Sequence, residues 1–194
     1  MDKRILSLFD YTGIMSQPYR DNGYAVTQVD IQLGTDVWEA SLDELPYVHG
    51  IIAQPPCTDF ANSGARWFAQ KDADGRTRQS VNLVNRVLQL VLIHQPVWWM
   101  LENPVGRINT LVPVLGKAQF AFDPCDYGLP YRKRTQIWGD FTTPEYGERV
   151  MPEGSRKGQP NAWYSRVGGN SISTKNYRSQ AVPGFARAFF NANP

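Results

Sequence analysis

Four short apolar runs, Arg4 to Phe9, Ala25 to Asp30, Val48 to Ala53 and Val97 to Leu101, recur along the chain, and a polar cluster follows each one. Runs of five or six residues rich in Val, Ile and Leu suit strands buried on both faces. Between the third and fourth runs, Val84, Val87, Leu88 and Val91 repeat at helical spacing from about Gln79 to His94, until Pro96 ends the pattern. Strands alternating with helices predict an α/β fold, a mainly parallel sheet covered on both faces. A final helix is expected over Pro183 to Asn191. From about Gly139 to Arg178 periodicity fades into Gly, Pro and Ser with scattered Arg and Lys.

At 194 residues and 42% hydrophobic content, the chain suits one substantial core rather than two. Met1-Asp2-Lys3-Arg4 leads into an apolar stretch shorter than that of a secretion signal, and no run approaches the length of a membrane span. A soluble, cytoplasmic protein is expected. Two cysteines cannot build a disulfide framework, so Cys57 and Cys125 are both expected as thiols. The net charge of +2 hides an asymmetry. Residues 1–129 carry 10 basic against 14 acidic side chains, whereas residues 130–194 carry 10 against 4. A polyanion held by the C-terminal third fits that distribution, as does a solvated basic surface.

In a parallel sheet ligands gather at the carboxyl ends of the strands. Phe9-Asp10-Tyr11-Thr12-Gly13, Asp30, Pro55-Pro56-Cys57 and Glu102-Asn103-Pro104 all fall there. Cys57 follows two prolines, which stiffen the chain and carry no backbone donor, so the thiol can project rigidly. An isolated Pro-Cys pair is more often a buried structural thiol. Glu102 is harder to assign to the interior, because a carboxylate leaving the apolar strand Trp98-Trp99-Met100-Leu101 must reach the rim or find a partner. Cys125, His49 and His94 lack such context, no metal-ligand spacing is present, and Trp98, Trp99 and Trp138 read as core.

Taken in order, these segments resemble the motifs of DNA cytosine carbon-5 methyltransferases. Leu6 to Gly13 is similar to the family's opening cofactor loop, Asp30 to the acid that holds the cofactor ribose, and Thr35-Asp36-Val37 to the next cofactor motif. Pro56-Cys57 is similar to the nucleophile loop and Glu102-Asn103-Pro104 to the catalytic glutamate motif. Arg132-Lys133-Arg134 with Ile137-Trp138-Gly139 resembles the arginine motif, and Gln180-Ala181-Val182-Pro183 the closing motif. Gly169-Asn170-Ser171 offers another placement of the last. The resemblance covers about residues 4–139 and resumes near 177. It implies a Rossmann-like methyltransferase fold with a catalytic core over 1–139, a target-recognition segment over 140–177 and a core-completing helix over 178–194. The implied cofactor is S-adenosyl-L-methionine, held by Phe9, Asp10, Thr12, Gly13, Asp30, Ile31, Asp36, Val37, Pro55, Gln180 and Ala181. The implied substrate is double-stranded DNA with a flipped cytosine, without metal or membrane.

The chemistry of the residues agrees with the resemblance. Carbon 5 of cytosine becomes nucleophilic once a thiolate adds to carbon 6, the role implied for Cys57. Glu102 would hold ring nitrogen 3 and the exocyclic amine, with Asn103 fixing its direction. Arg134, with Arg132 beside it, would meet the base carbonyl or a phosphate.

Three departures stand out. Tyr11 and Ile14 replace common glycines, the segment between Asp30 and Asp36 is short, and only some forty residues are available to read a target. Arg149, Arg156, Lys157, Arg166 and Lys175 supply its positive charge, which suits phosphate contact and a short recognition sequence. Minimal enzymes of this kind resemble those of phages and mobile elements. Rival readings are a modified sulfonium donor, a free nucleotide substrate, a noncatalytic DNA-binding relative and a structural partner protein.

Overall fold

The computed structural model describes residues 3–152 and 179–194. Six strands form one sheet: β1 (Arg4–Leu8), β2 (Ala25–Val29), β3 (Val48–Ala53), β4 (Trp98–Pro104), β5 (Phe120–Phe122) and β6 (Thr135–Asp140), in the order β2-β1-β3-β4-β6-β5. The pairings β1 with β2, β1 with β3 and β3 with β4 are parallel. β6 runs antiparallel between β4 and β5. The fold is therefore a Rossmann-like α/β sheet, mostly parallel, with one reversed strand near an edge.

The principal helices are α1 (Gln17–Asp21), α2 (Phe68–Ala73), α3 (Arg76–His94), α4 (Ile108–Leu111) and α5 (Pro183–Ala192). Alternation along the strands divides the core in two. Leu6, Leu8, Ile51, Ala53, Leu101 and Trp138 pack on one face, with Val84, Val87 and Leu90 of α3. On the other, Ile5, Ile52, Met100 and Ile137 meet Tyr19 of α1 and Phe185 and Phe189 of α5. The Phe122 and Phe185 rings stack at 4.2 Å and fasten α5 to the reversed end of the sheet.

The third strand matches its expected bounds, while the first two end one residue earlier than expected. The long helix begins earlier than expected, at Arg76, after Gly75 in a left-handed conformation with φ 84°. It stops at Gln95, itself left-handed at φ 44°, immediately before Pro96. Val84, Val87 and Leu90 are fully buried, with Leu88 and Val91 packed at their margin. β5 and β6 add two strands to the four expected. β4 also extends three residues beyond Leu101, so Glu102, Asn103 and Pro104 are strand residues. That extension exists because β6 pairs with it, placing Glu102 opposite Ile137 and Pro104 opposite Thr135.

β2 and β3 lie on opposite sides of β1, so the strand order reverses between β1 and β3 and leaves a crevice at their carboxyl ends. Phe9 enters it at φ 58°, a left-handed conformation unusual for a bulky residue. Trp98 and Trp138 are buried. His49 Nε2 and His94 Nε2 bond the carbonyls of Pro194 and Leu42 at 2.9 and 2.7 Å. No helix among the described residues is long and apolar enough to cross a membrane.

Candidate functional site

Parallel register dictates the first contact of the site. Ile52 lies beside Met100, so two residues further along the same face Gln54 falls beside Glu102. The Gln54 side chain hydrogen-bonds the Glu102 carboxylate. Burial raises the Glu102 carboxyl above the ordinary carboxylate range, opposed by the Lys133 ammonium and by the Gln54 hydrogen bond. Glu102, Gln54 and Lys133 line one cavity with Met15, Tyr131, Gln180 and Ala181. This cavity brings the strand-end carboxylate together with the segment leading into α5.

Asn103 points to the opposite face and is fully buried. Its Nδ2 donates to the carbonyl of Pro55 at 3.0 Å, tying the end of β4 to the Pro55-Pro56-Cys57 turn. Cys57 is half-buried and, like buried Cys125, is a thiol outside any disulfide. The Cys57 carbonyl accepts from the amides of Phe60 and Ala61 at 3.0 and 2.9 Å, closing a tight turn after the thiol. Ala61 bridges to Gly106, where a side chain has no room: a Cβ would stand 1.9 Å from the Phe60 carbonyl oxygen.

Charged groups hold this turn from beneath. Lys71 of α2, only 5% exposed, donates to the Thr58 carbonyl and pairs with Asp59 at 3.2 Å. Ser80 of α3 donates to the other Asp59 oxygen at 2.6 Å. Arg107 Nε donates to the Asp59 carbonyl at 3.0 Å, while its two terminal nitrogens reach Asp72 at 2.8 Å. Those hydrogen bonds lower the exposed Asp72 carboxyl to about 2. Sequence patterning singled out none of Gln54, Lys71, Lys133 and Arg107. The β3 and β4 register could have found Gln54; nothing in the spacing marks Lys71, Lys133 or Arg107.

The expected cofactor residues separate into two groups. Asp10 is buried, with one oxygen accepting from Ser7 Oγ and Ser16 Oγ at 2.8 Å and from the Ser16 amide at 3.3 Å. Burial outweighs these donors and raises its carboxyl above the ordinary range. Asp10 thus braces the loop from within. Val37 is buried, its carbonyl accepting from buried Arg86 at 2.9 Å, and Asp36 caps the following turn through the Trp38 amide. Pro55 is buried under Asn103. Thr12 is exposed, Gly13 is buried at φ 68°, and Phe9 is half-buried against the α3-side core.

Asp30 closes β2 and accepts from the Gln32 amide at 2.8 Å. Ile31 beside it is 74% exposed, an apolar surface next to a carboxylate. Gln180 and Ala181 reach the Glu102 cavity. Arg132 and Arg134 do not line it: both are exposed, and Arg134 stands 3.6 Å from Asp123. Arg149 is exposed and 3.5 Å from Asp126. Arg156, Lys157, Arg166 and Lys175, and the Gly169-Asn170-Ser171 segment, lie outside the described residues. No cluster of three or more His, Cys, Asp or Glu able to hold a metal gathers among the described residues.

Glu102→Gln is expected to stabilise the fold at neutral and alkaline pH, because it removes a carboxylate that burial disfavours. The unfolded carboxyl ionises near 4.5, below the folded one. The gain is therefore absent below that pH, grows through the interval between the two values and stays full above it. Thermal unfolding of both proteins across pH 4 to 8 checks this; a gain largest at low pH contradicts it.

No family model and no curated protein matches this chain. Among solved structures it is similar to a prophage-encoded E. coli protein described as a DNA modification methyltransferase, at 17% identity and a TM-score of 0.41. That match covers 77% of this chain and 53% of the other. It is also similar to the Entamoeba histolytica methyltransferase EhMeth, at 16% identity and a TM-score of 0.45, over 89% of this chain and 61% of that one. This chain thus spans between about half and three fifths of either length.

Proposed function

We propose that this protein is a DNA cytosine-5 methyltransferase that uses S-adenosyl-L-methionine and forms a covalent bond to its base through Cys57. The observation that carries the reading is the 3.0 Å bond from Asn103 to Pro55. It joins the turn bearing the thiol to the strand bearing Glu102, next to the switch point of the sheet. The thiol follows β3 and the carboxylate belongs to β4, the strand beside it.

Thiolate addition to carbon 6 forms an S–C bond and moves the electrons of the 5,6 double bond towards carbon 5. A protonated Glu102, favoured by burial, stabilises the resulting charge through ring nitrogen 3. S-adenosyl-L-methionine, when bound, supplies the methyl group. Loss of the carbon-5 proton to a base and departure of the Cys57 thiolate restore the ring.

The residues present fit this cofactor. The Asp30 carboxylate suits a ribose diol, exposed Ile31 suits the face of an adenine, and Gln180 and Ala181 form a wall continuous with the Glu102 cavity. Basic residues of the 140–177 segment supply phosphate contacts, and so small a reader implies a short target. The proposed domain organisation assigns residues 1–139 and 178–194 to catalysis and 140–177 to the DNA.

Duplex DNA containing 5-fluorocytosine tests this reading, because fluorine blocks the last proton loss. With S-adenosyl-L-methionine present, the wild-type protein is expected to form a stable adduct whose peptide maps to Cys57. Absence of an adduct on DNA of random sequence sinks it.

A further inference from the structure

We propose that Lys133, rather than Arg132 or Arg134, is the cationic catalytic residue of this site, donating to the carbonyl oxygen of the base held by Glu102. The inference deepens the proposed function and rests on that reading for the identity of the substrate.

Strand geometry is its basis. Glu102 of β4 stands opposite Ile137 of β6, and cross-strand partners point to the same face. Counting back by twos from Ile137 gives Thr135 and then Lys133, and both line the cavity that holds Glu102. The ladder continues past the named strands, because the Val105 amide donates to the Arg134 carbonyl at 3.1 Å. Arg134 consequently belongs to the other face. Its side chain is 51% exposed, beside Asp123, and Arg132 is exposed as well.

The electrostatics agree. Lys133 is the positive group that opposes the effect of burial on Glu102. Apart from Glu102 itself, Lys133 and Tyr131 are the ionisable side chains among the described residues lining this cavity; the others are uncharged. An ammonium offers three donors without the fixed fork of a guanidinium, so it can reach a single carbonyl oxygen while remaining near the carboxylate. As negative charge develops on the ring, a preorganised cation at that oxygen lowers the barrier.

Two measurements test the assignment. In the first, the Glu102 carboxyl is titrated by carbon-13 NMR in the wild type and in Lys133→Met, without DNA or cofactor. Its pKa is expected to rise when the neighbouring cation is removed; an unchanged value overturns the pairing. In the second, single-turnover methylation and DNA affinity are compared for Lys133→Met, Lys133→Arg, Arg132→Met and Arg134→Met. Lys133→Met is expected to slow turnover by about 100-fold or more with affinity within a few fold, and Lys133→Arg to recover part of the loss.

Arg132→Met and Arg134→Met are expected to keep the rate within a few fold. A 100-fold loss in Arg134→Met with a near-normal rate in Lys133→Met overturns the proposal. A wild type inactive on DNA whose Glu102 titration still depends on Lys133 overturns the methyltransferase reading while supporting the pairing.

Discussion

Cys57→Ala is expected to lower methyl transfer to duplex DNA by at least about 1,000-fold, the scale on which loss of a nucleophile acts in covalent catalysis. DNA affinity is expected to stay within a few fold, because the basic residues proposed to meet phosphates lie elsewhere in the chain. Cys57→Ser keeps the shape of the side chain yet is expected to be nearly as slow, since a hydroxyl ionises far less readily than a thiol at neutral pH. Single-turnover kinetics with radiolabelled donor, combined with equilibrium DNA binding, separates the two effects. A rate within tenfold of wild type for Cys57→Ala removes the covalent step from consideration. An equal loss of rate and affinity assigns Cys57 to DNA contact instead.

Lys71→Met is expected to cost about 3–5 kcal/mol of unfolding free energy, because it strands the Asp59 carboxylate in a buried place. Asp59 keeps the Ser80 hydroxyl, and the lost contacts are the 3.2 Å ion pair and the bond to the Thr58 carbonyl. Against a total of about 5–15 kcal/mol for a domain, that loss is large. The double variant Lys71→Met with Asp59→Asn is expected to recover much of it, since no unpaired charge remains. Urea unfolding of the single and double variants measures both changes. A cost below about 1 kcal/mol for Lys71→Met shows that Asp59 relaxes to solvent. The Cys57 turn would then lack a rigid base.

The two experiments probe one construction from opposite ends. Cys57 is half-buried on a turn between two prolines and an exposed threonine, and that position alone leaves the direction of its thiol open. Direction comes from the bond of Asn103 to Pro55 above the turn and from Lys71, Asp59, Ser80 and Arg107 beneath it. Buried ion pairs contribute little net stability compared with apolar replacements. A buried pair under a turn that carries a thiol is better understood as a means of holding the turn in one conformation.

The four apolar strands, the long helix ended by Pro96 and the closing helix are all legible in local sequence. These follow from local causes, apolar periodicity and the exclusion of proline from helix interiors, and need no knowledge of distant partners. The sequence also placed Cys57 just beyond the third strand, whereas Glu102, expected just beyond the fourth, lies within it. Tertiary structure decided β5 and β6. β5 has three residues, and β6 offers Ile137 and Trp138 between Gln136 and Gly139, too short an apolar signal to mark a strand. Their pairing with β4 is a long-range event that no local window contains.

That pairing carries the largest consequence for the site. It extends β4 through Glu102 and brings Lys133 onto the carboxylate's face, while Arg132 and Arg134 remain exposed. The same dependence on distant partners accounts for Asp10 and Lys71. Asp10 turns inward because Ser7 and Ser16 are there to receive it, and Lys71 is buried because Asp59 and the Thr58 carbonyl of the turn are there to receive it. Periodicity states which residues leave water; only the packed sheet decides which charged groups meet once they have left it.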